Sequence, residues 1–222
     1  NQRGQPAEEV ARYIFNFTAS FLNHTLTTLH SKEDSETLLL QDRDETVLPG
    51  QVVFVHPVAG PILAPTTKNT GLQDIQTHEI QLASDFDGPF SYLVGYYLQK
   101  EDTASITAIP PIFSGTSFIK VDSVGMFGNV SYQFNDQWGV SIGLRKDEDE
   151  RTGSNNTVGL DHIETFKETT YSTKLTYQYD ADKMFYLSHD KGFKSGGVNR
   201  EFSTCASGLC LPADQAVWDA EI

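Results

Sequence analysis

The stretch "VGMFGNVSYQFNDQWGVSIGLRK" spans residues 124–146 and decides the fold class. Apolar side chains occupy every second position on both sides of a short polar break, "NDQ", at residues 135–137. The members of this apolar set are Val124, Met126, Val130, Tyr132, Phe134, Trp138, Val140, Ile142 and Leu144. A period of two residues predicts β-strands, and a break this short joins antiparallel neighbours. The stretch therefore predicts a β-hairpin with one apolar face and one polar face.

The same alternation recurs along the chain. It is clear in "RYIFNFTASF" (12–21), "FSYLVGYYLQK" (90–100) and "TYSTKLTYQY" (170–179). Less regular strands are expected at about residues 25–36, 73–84 and 184–193, and another begins near Trp218. The pattern predicts an all-β, antiparallel chain of about nine strands.

The predicted connections are of two kinds. Short turns fall at residues 85–89, 135–137 and 180–183, whereas the long polar stretches 37–72, 102–117, 147–165 and 194–216 are expected to be loops. Short turns at one end and long loops at the other are typical of an outer-membrane β-barrel. Several predicted strands reach the ~9–11 residues that a tilted transmembrane strand needs. A soluble sheet with one wet face also alternates, but the aromatic apolar face and the Ser, Thr, Asn, Gln and Lys of the other face favour the barrel.

Composition excludes several other classes. The 222 residues carry a net charge of −14, with 38% hydrophobic residues, and this acidity argues against a nucleic-acid partner. No apolar run approaches the ~20 residues of a membrane helix. The most apolar stretch, "QVVFVHPVAGPILAP" (51–65), is interrupted by prolines and is predicted to be part of a long loop. The opening residues read like the interior of a loop, so we expect the chain to be a fragment or a processed product.

Enzyme chemistry and cofactors find no support in the sequence. His78 and Glu79 begin a zinc-protease motif, but Leu82 stands where the second histidine is required. His189 and Asp190 are adjacent on a predicted strand, so their side chains point to opposite faces. We expect neither an enzymatic activity nor a bound cofactor or metal.

One segment carries a family resemblance. The segment "MFYLSHDKGFKSGGVN" (184–199) resembles a strand-to-loop signature of TonB-dependent outer-membrane receptors. The matching residues after the strand are Gly192, Phe193, Lys194, Ser195, Gly196, Gly197 and Asn199. Val198 departs from the signature, which usually has an aromatic there. Segments 78–103, 131–150 and 214–222 resemble further hairpins and a strand start of the family, in the family's order.

The resemblance implies a barrel of about 22 strands, plugged by an N-terminal domain. It implies a receptor in the bacterial outer membrane that takes up a scarce nutrient, such as a ferric siderophore or another iron complex. A TonB-type energy-coupling protein, outer-membrane lipid and lipopolysaccharide would be its partners. Residues 1–222 are then expected to be an incomplete barrel segment without the plug. A secreted all-β ligand-binding module and a passive porin remain alternatives, which the preceding sequence would distinguish.

Candidate site residues lie near the same signature. Lys191 and Lys194 are candidates for holding an anionic iron chelate, although a basic strand end at the membrane surface is the favoured explanation for them. The Gly192–Asn199 segment is expected to be a structural exit from the barrel, at which two glycines let the chain bend. Cys205 and Cys210 are close enough to form a small disulfide loop in an oxidising compartment, the alternative being two free thiols.

Overall fold

A computed structural model describes residues 7–42, 52–56, 60–63, 66–85, 87–109, 113–156, 160–198 and 217–218. Within these residues, no helix is long and apolar enough to cross a membrane.

The described residues form twelve strands. They are β1 (Ala7–Phe21), β2 (His24–Asp42), β3 (Val52–His56), β4 (Gly60–Leu63), β5 (Thr66–Ser84), β6 (Phe90–Ile109), β7 (Phe113–Gln133), β8 (Trp138–Asn155), β9 (Leu160–Asp180), β10 (Lys183–Lys191), β11 (Gly197–Val198) and β12 (Val217–Trp218). Eight of them make one antiparallel sheet in the order β1-β2-β5-β6-β7-β8-β9-β10. Each strand thus pairs with its nearest long neighbour in the chain, as the alternation predicts.

The long strands extend well beyond the predicted ones. Residues 102–109, 113–117, 147–155 and 160–165 were expected in loops, yet they continue the strands β6 to β9 in unbroken register. In the same way, β2 reaches Asp42 and β5 begins at Thr66. These loop predictions were wrong because a polar, charged composition was taken for a loop. Opposite charges across the strands, such as Lys167 and Glu148 at 2.8 Å, support pairing there.

Two further predictions need correction. Part of the proline-containing stretch 51–65 forms a hairpin of its own, in which β3 pairs with β4, and Pro61 lies in this two-stranded sheet. Trp218 does not begin another strand of the large sheet: with Val217 it pairs antiparallel with β11. The large sheet therefore has eight strands in the described residues, where about nine were predicted.

The tight turns are defined by backbone conformation and by side-chain hydrogen bonds. Leu22 and Asn23 both have positive φ, 45° and 60°, as the two central residues of a type I′ hairpin turn require. The next residue, His24, bridges the turn to β6: its Nδ1 lies 2.7 Å from the Leu22 carbonyl oxygen and its Nε2 2.7 Å from the Tyr92 hydroxyl. In the β7–β8 turn, the Asn135 side-chain oxygen accepts hydrogen bonds from two backbone N–H groups, each at 2.9 Å.

The sheet is a single layer with an exposed apolar face. Among the described residues, the buried hydrophobic side chains are Val121 and Val198, 6% and 3% exposed. By contrast, Phe15, Met126 and Leu144 are each about 60% exposed. A soluble sandwich buries such a face against a second sheet. Among the described residues, no second layer covers this face.

Candidate functional site

The two faces of the sheet follow from the register. The apolar face carries the alternating set quoted above, together with its partners across the strands. The polar face carries the intervening residues. At its centre, Asn129 Nδ2 donates to the Ser141 hydroxyl at 3.0 Å and Ser131 Oγ donates to the same hydroxyl at 3.1 Å. Lys174 pairs in register with Ser141. Such a network suits a surface that faces water.

A larger assembly on the polar face is centred on Arg145. Its Nε donates to both carboxylate oxygens of Asp147, at 2.8 and 2.9 Å, and its Nη2 lies 2.7 Å from one of them. The guanidinium also lies 5.6 Å from the ring centres of Tyr97 and Phe127. A charged guanidinium over aromatic faces is attracted by the ring quadrupole. The four side chains therefore form a platform, the Arg145 platform, across β6, β7 and β8.

Two glycines make room for this platform. A Cβ at Gly95 would lie 2.3 Å from the tip of the Phe127 ring. A Cβ at Gly125 would lie 2.8 Å from Arg145 Nη2 and 3.0 Å from Asp147 Oδ1. Both glycines pair with the residues that cover them, Gly95 with Phe127 and Gly125 with Asp147. Close approach, rather than an unusual φ, explains these two glycines.

Lys191, one of the predicted ligand residues, is already paired. Its Nζ lies 2.8 Å from Glu168 Oε1 across β9 and β10. The hydrogen bond from Lys191, reinforced by the backbone N–H of Thr169 at 2.7 Å, lowers the pKa of Glu168. Because Glu168 offsets much of the positive charge of Lys191, this lysine attracts an anionic ligand less strongly than an unpaired lysine would. Lys194 is exposed and makes interactions of its own.

The glycine-rich signature folds back onto the sheet. Gly196, Gly197 and Val198 are buried, and Val198 packs on Gly153 of β8, where a Cβ would lie 2.7 Å from Val198 Cγ2. Gly153 belongs to the polar face, since it alternates along β8 in step with Arg145 and Asp147. The bend thus brings the chain over the polar face of β8. Gly192, by contrast, lies in open space. Asn199, Cys205 and Cys210 lie outside the described residues, and the structural-exit role and the disulfide stay predictions.

Sequence reasoning missed the polar groups beside this segment. Arg151 Nε, His162 Nε2 and Ser195 Oγ are buried atoms with no hydrogen-bond partner within the described part of the chain. Residues 147–151 of "KDEDER" fall in the stretch 147–165 that is predicted to be a loop. Continued period-two alternation was the available signal, because it places Asp147, Asp149 and Arg151 on one face.

A one-layer antiparallel meander with an exposed apolar face and a polar opposite face is the wall of a transmembrane β-barrel. The chain matches the profile of the family described as TonB dependent receptor-like, beta-barrel, over residues 8–212. It belongs to this family, which comprises receptors rather than enzymes. The sequence resemblance and the all-β, partial-barrel fold class are thereby confirmed.

A solved structure shares the fold. It is the ferric yersiniabactin uptake receptor FyuA from Yersinia pestis, with a TM-score of 0.64 and 13% sequence identity. The similarity covers 97% of this chain and 31% of the receptor chain. A search of curated proteins found no significant match.

Proposed function

We propose that this chain is part of the barrel of a bacterial outer-membrane receptor that imports a scarce nutrient with energy from a TonB-type protein. The observation that carries the proposal is the exposed apolar face of a single-layer sheet in a chain of this family. Because the chain spans 31% of the similar receptor, the uptake, its ligand and its energy coupling are all proposals for the longer protein.

The height of the apolar band supports a membrane-spanning role. On the apolar face, the first lysine or arginine of β2 is Lys32, the ninth residue of the strand. The corresponding residues are Lys100, the eleventh of β6, and Lys146, the ninth of β8. A tilted strand crosses the hydrocarbon core in ~9–11 residues. The turns at 22–23, 87–89 and 134–137 then lie at the periplasmic end, and the charged halves of the strands project outward.

The proposed ligand is an iron complex. FyuA takes up ferric yersiniabactin, as its name states, but 13% identity carries the fold and not the ligand. In this chain, Lys191 and Lys194 are retained as candidates for contacting an anionic chelate. The proposal includes lipopolysaccharide as a neighbour of the outward charged halves, and a Cys205–Cys210 disulfide. It includes no nucleic-acid partner, cofactor or enzymatic step.

Uptake by the full-length protein tests this function. Bacteria lacking their own iron receptors would express it with or without TonB and receive a panel of radiolabelled ferric chelates. An energised receptor accumulates one chelate only when TonB is present. Accumulation that is independent of TonB would indicate a passive porin. Recovery of the protein from the medium rather than the outer-membrane fraction would indicate a secreted module.

A further inference from the structure

Two histidines lie opposite each other on the apolar face of the sheet, on the side away from the polar face. His30 of β2 and His78 of β5 are directly opposite in register. Their Nδ1 atoms lie 2.6 Å apart, and their ring centres 4.9 Å apart at an interplanar angle of 66°. His78 is exposed and His30 half-buried. The two lone-pair positions therefore converge on one point at the surface of the sheet.

The residues around the histidine pair are an aromatic ring, a leucine and a lysine that is already ion-paired. In the same row, Phe15 of β1 pairs with His30, with ring centres 6.2 Å apart, and Leu98 of β6 pairs with His78. In the next row outward, Lys32 is held by Asp34 and Asp74, at 3.3 and 3.2 Å. Glu79, the sequence neighbour of His78, belongs to the opposite face of the strand.

We propose that His30 and His78 form a two-imidazole binding site for a divalent transition-metal cation of the kind that imidazole prefers, such as Zn²⁺, Cu²⁺ or Ni²⁺. In the metal-free pair, one Nδ1 carries a proton and donates a hydrogen bond to the Nδ1 of the other ring. On binding, this proton leaves Nδ1 and the same ring takes one up at Nε2 from water, so both Nδ1 lone pairs meet the metal with no net proton release.

The geometry needs only a small adjustment. With metal–nitrogen bonds of about 2.0–2.1 Å, two nitrogens at a tetrahedral angle are about 3.3 Å apart. Small rotations about the side-chain torsions of the two histidines open the present 2.6 Å contact to that distance. A bound ion would then link β2 to β5 through side chains, in addition to the backbone ladder.

The remaining coordination positions are open. The described residues contain no group of three or more His, Cys, Asp or Glu side chains that could hold a metal. The protein thus provides two ligands, and water provides the others. His30 is the seventh residue of β2, near the outer edge of the apolar band, where water and headgroups can reach the ion. The site is exchangeable and separate from the polar face.

Copper binding to the full-length receptor in detergent provides the first test. Cu²⁺ at one equivalent should give an electron paramagnetic resonance spectrum with coupling to two nitrogens, and this readout needs no variant. Equilibrium dialysis with Zn²⁺ should then show one bound equivalent lost in His30→Asn and in His78→Asn. His189→Asn is the matched control, because His189 lies on the same face of β10 and contacts Tyr171 rather than another histidine.

Each result decides the proposal. Two-nitrogen coupling in the wild-type protein, with Zn²⁺ lost in either pair variant and kept in His189→Asn, supports the site. Single-nitrogen coupling, or equal Zn²⁺ binding by the wild-type and His78→Asn proteins, overturns it. Neither readout measures iron uptake, so failure of the import proposal would leave this result unchanged.

Discussion

The two halves of the long strands share one backbone ladder but differ in what their apolar-face positions carry. Along β8, residues 138–144 place Trp138, Val140, Ile142 and Leu144 on that face, whereas residues 146–150 place Lys146, Glu148 and Glu150 there. The pairing continues through both halves without a shift in register. The change of environment is therefore encoded in the side chains and not in the ends of the strands.

A row of like charges supports the proposed placement of the outer half of the strands in water. Asp34, Asp74 and Asp102 are directly opposite one another on β2, β5 and β6. Like charges in such positions destabilise a sheet, and lipid would make this far worse. Lys32 moderates the row: the hydrogen bonds that its ammonium donates to Asp74 and Asp34 raise its pKa. At the far end, Lys120 lies 3.5 Å from Asp102.

Replacing an isoleucine by arginine should give the largest difference in unfolding free energy between the inner and outer halves of the strands. Ile142 and Ile163 lie on the same face and are 49% and 61% exposed, but Ile142 is the fifth residue from the turn end of β8 and Ile163 lies in the outer half of β9. Ile142→Arg should cost about 2–4 kcal/mol because, in the proposed membrane placement, it puts a charge near the bilayer midplane. Ile163→Arg should change stability by about 0.5 kcal/mol or less, as at an exposed surface position.

The measurement is reversible urea unfolding of the full-length protein in lipid vesicles. Ile163→Arg is the matched control for the substitution itself, since both variants add the same side chain. Equal destabilisation by the two variants would contradict the boundary between the halves.

The Arg145 platform lies on the polar face near this boundary, and its glycine notches predict the next largest effect. Gly95→Ala should destabilise by about 1–3 kcal/mol, since the added methyl forces the Phe127 ring out of its position. Gly71→Ala is the control on the same face, because a Cβ there meets only Thr37 Cβ at 3.8 Å. Unfolding midpoints of the two variants give the comparison; a harmless Gly95→Ala would mean that the ring moves away at no cost.

The sequence predicts the strands correctly where apolar and polar side chains alternate with a period of two residues. The prediction failed where the overall composition of a stretch was used instead. The 124–146 hairpin and its apolar face were predicted residue by residue. The outer halves were missed because runs such as "KDEDER" were taken as loops, although their ladder is held by backbone bonds and by pairs such as Lys167–Glu148. The platform could not be predicted, since Gly95 and Phe127 become neighbours only once the strand register is known. The His30–His78 pair could not be predicted for the same reason, because the two residues become neighbours only through the register of β2 and β5.

The return of the glycine-rich segment onto β8 gives a smaller prediction. Gly153→Ala places a methyl group 2.7 Å from Val198 Cγ2 and should displace residues 196–198 from the polar face. The cost should be about 1 kcal/mol, since a short segment can move away more easily than a paired strand. Limited proteolysis of the assembled receptor should show faster cleavage near Lys194 and Arg200 than in Gly71→Ala. Unchanged cleavage would show that the segment is held by contacts other than Val198.

The smallest expected effect concerns the Lys191–Glu168 pair in the outer half. Because the pKa of Glu168 is lowered in the folded protein, the pair contributes stability above the ordinary glutamate value of 4.5, and this contribution is lost as the pH falls through the lowered value. Both side chains are partly exposed, 29% and 19%, so solvent screens the interaction and the coupling should be weak. A double-mutant cycle with Lys191→Met and Glu168→Gln, read from unfolding midpoints, should show a small favourable coupling that is constant from pH 8 to pH 5.5 and absent well below 4.5. Coupling that disappears already near pH 6 would implicate a histidine instead and would remove Glu168 as the partner that restrains Lys191.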